Sequence, residues 1–395
     1  MERTAAIVGI YEFPKRRAEG MSSLEIKAIS AVRALEDAGL SWGDVDALFD
    51  AGEAFKGMPA ALMAEYFHIQ PRVVDGTSVG GSSYEFHAAH ARRAIASGKA
   101  RVALMTYGST AKSDQRHTGT GGRWGIGVPS PIGNLEDPYG LTLIGNYALV
   151  AQRHMYQYGT TPQQLAEIAV TTRYHAMRNP EAVQAMEDLH FRDIGPITVE
   201  DVLRSRLIAD PVHLLECCMI SDGGGAVVIA SPDVARNTRH RPVWILGSGE
   251  AIGYPDNGRD ITVTAAAQSG PEAFGEAGVT PGDIDVAMIY DSFTITVLSI
   301  LEDLGFCPKG QGGEYVFGGR LRFDNPGGPA LNTDGGGLSS NHPGMRGIFL
   351  LIEATRQLRE VSTSQVTHPQ LAVAHGNGGQ LGTRHAAATI ILGRG

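Results

Sequence analysis

Ala38-Gly39-Leu40-Ser41-Trp42-Gly43-Asp44-Val45-Asp46 and Ala277-Gly278-Val279-Thr280-Pro281-Gly282-Asp283-Ile284-Asp285 are two versions of one phrase, 239 residues apart. Each closes an apolar-periodic helix with a glycine, turns through a Gly-Asp pair and enters a short apolar strand, 45–49 or 284–289. A unit repeated at this distance predicts one α/β scaffold used twice. Only the second copy runs on into Tyr290-Asp291-Ser292-Phe293. A duplicated scaffold whose halves carry different polar residues places its chemistry where the halves meet.

Working outward from the first copy, the pattern predicts a strand at 5–10 and a helix at 23–38 before strand 45–49. A glycine-rich turn at 78–83 then leads through a helix ending at Ala96 to a strand at 101–106. Ser221-Asp222-Gly223-Gly224-Gly225 and a strand at 226–230 close this half. Around the second copy the order repeats: strand 243–246, helix 262–277, strand 284–289, helix 293–304, a glycine-rich turn at 334–344, helix 345–358, strand 371–374, a loop at 375–379 and a last strand at 386–392. Strands alternating with helices predict a mostly parallel sheet covered on both faces. The expected halves are 1–240 and 241–395. Residues 110–215, polar, aromatic and helical, have no counterpart in the second half and read as an inserted cap over a cleft.

Composition narrows the function. At 395 residues the chain has ample apolar content for a sizeable core, and its formal charge of −9 offers no basic stripe for nucleic acid. No apolar run approaches the roughly 20 residues of a membrane span, and the N-terminus lacks the apolar stretch of a signal peptide, so the cytoplasm is the expected compartment. Cys217, Cys218 and Cys307 are too few for a disulfide framework and lack zinc-site spacing; they read as buried small apolar residues. No pattern suggests a metal. The 51 glycines cluster at strand-to-helix turns, where backbone packs against backbone or ligand.

Four of these turns carry groups able to do chemistry at strand ends or helix N-termini: Ser78 before Gly80-Gly81, Tyr290-Asp291-Ser292-Phe293, Asn341-His342-Pro343-Gly344, and His375-Gly376-Asn377-Gly378-Gly379. Singly each is a weak signal, since a His before Pro-Gly is commonly a turn residue and a strand-end Tyr is commonly packed. The stripe Met345, Ile348, Phe349, Ile352 has helical spacing and reads as core, and Tyr147, Tyr156 and Tyr158 are candidates to line a substrate tunnel or simply to pack the cap.

Taken together, the order, spacing and duplication of these motifs resemble the thiolase superfamily over nearly the whole chain. Ser78-Val79-Gly80-Gly81 resembles its nucleophile turn, Ser221-Asp222-Gly223-Gly224-Gly225 its Asp-Gly-Ala-Ala segment, and Leu331-Asn332-Thr333-Asp334-Gly335-Gly336 with Asn341-His342-Pro343-Gly344 its Asn-x-x-Gly-Gly and Gly-His-Pro-x-Gly stretch. The nearest branch is the sterol-carrier and lipid-transfer-protein type, which has His-Asp-Cys-Phe where this chain has Tyr290-Asp291-Ser292-Phe293. The resemblance implies two pseudo-symmetric βαβ-type halves in five αβαβα layers, with the inserted cap.

The departures point to a different reaction. Thiolysis needs a nucleophilic thiolate and an acid/base cysteine; here Ser78 and Ser292 stand at those positions, and His375 stands where many thiolases place a second cysteine. Thiolase-derived aldolases that cleave steroid side chains share the loss of cysteines and the Tyr-Asp-x-Phe motif. Resemblance to them implies retro-aldol cleavage of a β-hydroxyacyl-CoA to a shorter acyl-CoA and a ketone or aldehyde. Tyr290 is then the expected base or proton relay, Asp291 its orienting group, His342 and His375 further catalytic candidates, and Ser78 a candidate nucleophile or thioester-binding turn. Asn341, Gly344, Gly378 and Gly379 are the expected contacts to the coenzyme A thioester, which is substrate; no tightly bound cofactor is implied. Those aldolases carry a second tyrosine near the position of Asn341 or His342, where this chain keeps the thiolase-like histidine. The resemblance also implies a homodimer, and a small OB-fold, zinc-ribbon partner completing a heterotetramer. An unusual acetyl-CoA acyltransferase and a non-catalytic scaffold subunit are the alternatives.

Overall fold

The structure, a computed structural model, describes residues 3–52, 58–114, 140, 142–254, 260–325 and 327–395. Local chemistry makes the two copies of the repeated phrase into the same object. Helix α1 (Ser23–Ala38) starts on a Ser22–Glu25 capping box and stops at Gly39, whose φ of 72° is open to glycine; α9 (Ala266–Ala277) stops in the same way at Gly278, φ 63°. After each stop the backbone N–H and hydroxyl of one residue donate to an aspartate three places on: Ser41 to Asp44 at 2.8 Å, and Thr280 to Asp283 at 2.8 and 2.7 Å. The next aspartate staples the neighbouring strand. Asp46 accepts from the N–H groups of Arg101 and Val102 at 2.9 Å, and Asp285 from those of Gln370 and Leu371 at 2.7 and 3.0 Å.

These turns feed β2 (Ala47–Phe49) and β9 (Val286–Ile289). The first half supplies β1 (Ala6–Glu12), β2, β3 (Val73–Asp75), β4 (Val102–Ser109) and β7 (Gly223–Ala230), ordered β3-β2-β4-β7-β1. The second supplies β8 (Val243–Gly253), β9, β10 (Ala330–Leu331), β11 (Leu371–Gly379) and β12 (His385–Arg394), ordered β8-β12-β11-β9-β10. Read outward from the β1–β8 junction, where Ala6 meets Trp244 and Ile7 meets Val243, the two orders mirror one another.

Helices α3 (Ser83–Ala96) and α13 (Gly347–Leu358) touch strands of both half-sheets and form the middle layer. Helix α1 covers the outer face of β1, β7 and β4, and α9 that of β8 and β12, giving the αβαβα stack. Of the expected cap, residues 115–139 and 141 lie outside the described residues; the rest includes α4 (Leu143–Tyr158), α5 (Pro162–Ala176), α6 (Pro180–Asp188), α7 (Val199–Arg204) and the small ladder of β5 (Leu207–Ala209) and β6 (Val212–His213). Among the described residues no helix is long and apolar enough to cross a membrane.

Two expectations need correction. The sheet is mixed, with β2, β3 and β4 parallel, β9, β10 and β11 parallel, and the pairs from β11 through β12, β8, β1 and β7 to β4 all antiparallel. The short link from β11 to β12 leaves no room for a crossover helix, so that pair must be a hairpin. The stretch 375–379, expected as loop, is the second half of β11, paired with 385–389 of β12. Its glycines are there for close approach: a Cβ on Gly378 would overlap the carbonyl oxygen of Val79, and one on Gly376 the buried Glu85 carboxyl.

The pseudo-symmetry extends to packing. A Cβ on Gly9 of β1 would overlap the carbonyl oxygen of Ala34 and crowd Ala38; one on Gly247 of β8 would overlap that of Ala273 and crowd Ala277. Gly275, on the outside of α9, faces open space. Gly9→Ala and Gly247→Ala are therefore expected to destabilise by about 1–3 kcal/mol each, to a similar degree, while Gly275→Ala stabilises by about 0.5–1 kcal/mol. Denaturant midpoints of the three variants check this, and equal midpoints for all three would contradict the helix-on-glycine packing.

Candidate active site

The carboxyl ends of β9 and β11 open onto a cavity of about 520 Å³, where an α/β sheet presents its ligands. Tyr290 follows directly on β9, its N–H bonded to the carbonyl of His375 at 2.9 Å. Its ring lies on Gly81, where any side chain would collide with it, so the glycine turn before α3 is shaped to the tyrosine. His342 sits on the stretch between α12 (Gly336–Ser339) and α13, its N–H donating to Ser221 Oγ at 3.0 Å. The two side chains meet edge to face, with Tyr290 Oη 3.0 Å from His342 Nε2. Tyr290 Oη also lies 3.3 Å from the Gly344 carbonyl and accepts from the Arg346 N–H at 3.4 Å.

Both groups are almost sealed from water, and burial sets their protonation. It pushes the Tyr290 phenol well above its ordinary value of 10, with the nearby Cys218 adding to the effect. It pulls His342 down to about 3, helped by the Arg346 charge. The pair is thus a neutral phenol on a neutral imidazole.

Of the expected site residues, Ser78, Tyr290, His342, Gly344, Gly378 and Gly379 line this one cavity. Ser78 lies at its rim without an activating base: among the described residues no histidine or carboxylate is hydrogen-bonded to it. Asp291, Asn341 and His375 do not reach the cavity. Asp291 turns the other way, accepting from the N–H groups of Gly337 and Leu338 at 2.8 and 3.3 Å and pairing with Arg346 Nε at 3.1 Å; burial holds its carboxyl up at about 6. Asn341 bonds Glu12 Oε1 at 2.8 Å and receives Arg346 at 2.6 Å. His375, inside β11, bonds Thr389 Oγ1 at 2.8 Å on the face toward α9, and burial brings it down to about 3. The polar side chain of β11 that does reach the cavity is Asn377, two residues nearer the strand end.

The cap contributes Leu143 and Tyr147 to the wall. Tyr147 packs at a tilt against Phe293 with ring centres 4.4 Å apart, whereas Tyr156 is 85% exposed and Tyr158 packs on His154, so one of the three cap tyrosines lines the site. Ile348, Phe349 and Ile352 are core as expected, and Met345 instead borders the cavity. Ile252, Arg384 and His385 also line it and were not singled out in the sequence; they come from a strand end and a hairpin that carry no motif. None of the three cysteines lines it. Cys217 and Cys218 lie behind the Ser292–Phe293 segment, the Cys218 N–H donating to the Ser292 carbonyl at 2.9 Å, and burial raises both thiols.

Residues 254–394 match the family described as thiolase C-terminal domain-like. The chain is 32% identical to an acetyl-CoA acetyltransferase of Methanothermobacter thermautotrophicus over 99% of its own length and 100% of that protein's. It is 32% identical to a steroid side-chain-cleaving aldolase of Thermomonospora curvata over 91% of its own length and 92% of that protein's. Among solved structures, the Ltp2-ChsH2(DUF35) aldolase matches with a TM-score of 0.86 and 29% identity, over 99% of this chain and 98% of that one. With the duplicated αβαβα scaffold and the Tyr290–His342 pair at its strand ends, these likenesses place the chain in the thiolase superfamily, in the sterol-carrier-protein-type branch near the steroid side-chain aldolases.

Proposed function

We propose that the chain is a carbon–carbon lyase that cleaves β-hydroxyacyl-CoA thioesters by a retro-aldol reaction. The observation carrying this reading is the hydrogen-bonded pair of neutral Tyr290 and neutral His342 facing a cavity that no cysteine lines. His342 Nε2 accepts the phenolic proton while the Tyr290 oxygen takes the proton of the substrate β-hydroxyl. As that proton leaves, the β-carbon–oxygen bond becomes a carbonyl, the Cα–Cβ bond breaks, and its electron pair passes into the thioester enolate. The proton then returns to Cα. The products are a ketone or aldehyde and the shortened acyl-CoA, with neither water nor free CoA consumed. The Arg346 N–H steadies negative charge building on the Tyr290 oxygen, and the main-chain N–H groups of the Gly80–Gly81 turn at the start of α3 are suited to the thioester oxygen.

The likeness to an acetyl-CoA acetyltransferase favours a second reading, an acyltransferase. It requires Ser78 to take the acyl group, and Ser78 has no base beside it among the described residues. The scaffold alternative gives no purpose to a hydrogen-bonded pair facing a cavity, or to His342 Nδ1, which is buried without a partner among the described residues at an expected cost of about 1–3 kcal/mol.

For partners, we read the chain as half of a homodimer paired through the sheet edge, where β3 ends the sheet and Val74 is exposed. We read a small OB-fold, zinc-ribbon subunit as docking beside the cavity mouth, a reading supported by Ile252 and Tyr254, each 65% exposed. Support comes from the two-component name of the matching aldolase structure and from a 33%-identical relative named as benzoylsuccinyl-CoA thiolase subunit BbsB.

Tyr290→Phe and His342→Ala are each expected to lower kcat by about 10²–10⁴ with KM little changed; wild-type turnover in either excludes the relay. Because His342 sits near 3 and Tyr290 well above 10, the pair stays in its working protonation state from about pH 5 to 9. The kcat/KM profile is expected to be flat there, with loss only as acid charges His342; an acid limb at the ordinary histidine value of 6.5 would contradict the burial. Ser78→Ala is expected to keep turnover within about threefold, and mass spectrometry to find no acyl-enzyme. Purified from its native host, the protein should elute as two such chains with two small partners, and a bare dimer would remove the partner.

A further inference from the structure

We infer that Asn377 is a substrate-recognition residue whose side-chain carbonyl accepts a hydrogen bond from an N–H or O–H group of the thioester, and that Tyr147 holds its amide in that orientation. Asn377 is 2% exposed and lines the cavity, and its Oδ1 has no protein partner among the described residues. Its Nδ2 lies 3.2 Å from the Tyr147 hydroxyl, which in turn lies 3.3 Å from the Gly379 carbonyl.

The amide is held from the cap side by a hydroxyl. The Asn377 amide donates through Nδ2 to the Tyr147 oxygen, and the phenolic hydrogen of Tyr147 is left for an acceptor on its other side, the Gly379 carbonyl at 3.3 Å or the Ser292 hydroxyl. The Leu381 main chain also hydrogen-bonds to Tyr147, so several groups besides Asn377 hold this hydroxyl in place. The amide thus has its NH₂ toward the cap tyrosine and its oxygen buried without a protein partner among the described residues. Tyr147 is itself fixed, packed at a tilt against Phe293 and 1% exposed. A buried acceptor left unpaired costs free energy that a bound donor restores, and a site built this way discriminates against ligands lacking the donor.

The donor has two chemical sources. On a β-hydroxyacyl thioester the β-hydroxyl and the cysteamine amide N–H, three bonds from sulfur, are the donors nearest the reacting carbons. In the retro-aldol reading the β-hydroxyl hydrogen is directed to Tyr290, which leaves the amide N–H or a further hydroxyl on the acyl chain for Asn377; the inference rests on that reading for this choice, though not for the acceptor itself.

Competition calorimetry on the purified full chain, with any partner that accompanies it, separates the sources. One arm compares the N-acetylcysteamine and S-pentyl thioesters of 3-hydroxybutanoate, which differ in the amide; the other compares 3-hydroxybutanoyl-CoA and 3,4-dihydroxybutanoyl-CoA with butanoyl-CoA. The wild type is expected to favour the donor-bearing member of at least one arm by about tenfold or more. Asn377→Leu is expected to erase that preference, and Tyr147→Phe, which frees the amide to turn, to reduce it. The arm that collapses names the source. No preference in the wild type, or ratios unchanged in both variants, overturns the inference. The readout is binding: a donor preference without carbonyl product would remove the lyase reading and keep the Asn377 site, and carbonyl product without the preference would do the reverse.

Discussion

A single buried guanidinium holds the active site together. Arg346 is fully enclosed, and its three nitrogens reach Asp291 at 3.1 Å, Asp334 at 2.6 and 2.8 Å, and both oxygens of Asn341 at 2.6 and 3.1 Å, while its own N–H reaches Tyr290. Asn341 passes the connection to Glu12 on β1, which also pairs with Arg16 and, at 2.7 Å, with Arg356 of α13. Removing one partner from such a network strands a charge in a dry interior and costs about 3–5 kcal/mol. The strand end that carries Tyr290, the stretch that carries His342 and the start of α13 are therefore set relative to one another by charge as well as by packing.

The same dryness gives the pair its chemistry. In water a tyrosine is a poor partner for a histidine that is half protonated near neutrality. Here burial, with the neighbouring arginine, keeps the imidazole neutral, and burial keeps the phenol protonated, so a proton can move along Tyr290 and His342 without either beginning as an ion.

The scaffold was legible because the repeated phrase is made of local signals: a glycine at φ near 70° after each helix, an aspartate three residues beyond a Ser or Thr, and an apolar strand. Tyr290, His342 and the glycines around them were legible as strand-end and turn residues. That Asp291 and Asn341 lie off the cavity was not legible, because polar residues beside a motif can serve its neighbours: their partner, Arg346, carries no sequence signature of its own. The strand at 375–379 was not legible because its glycines look like a loop, while in the structure they admit Val79 and Glu85 to the strand, and pleating then turns His375 and Asn377 to one face with only the latter lining the cavity. Tyr147 stood in a cap whose three tyrosines have the same composition and different fates.

The most direct test of the account is cleavage of 3-hydroxyacyl-CoA thioesters in D₂O, followed by mass spectrometry of both products with and without free CoA. The account expects a ketone or aldehyde together with a shorter acyl-CoA carrying one solvent deuterium at its α-carbon, formed at a rate that added CoA does not raise. Cleavage that appears only with free CoA, and only for the β-keto thioester, would contradict it and return the site to thiolysis.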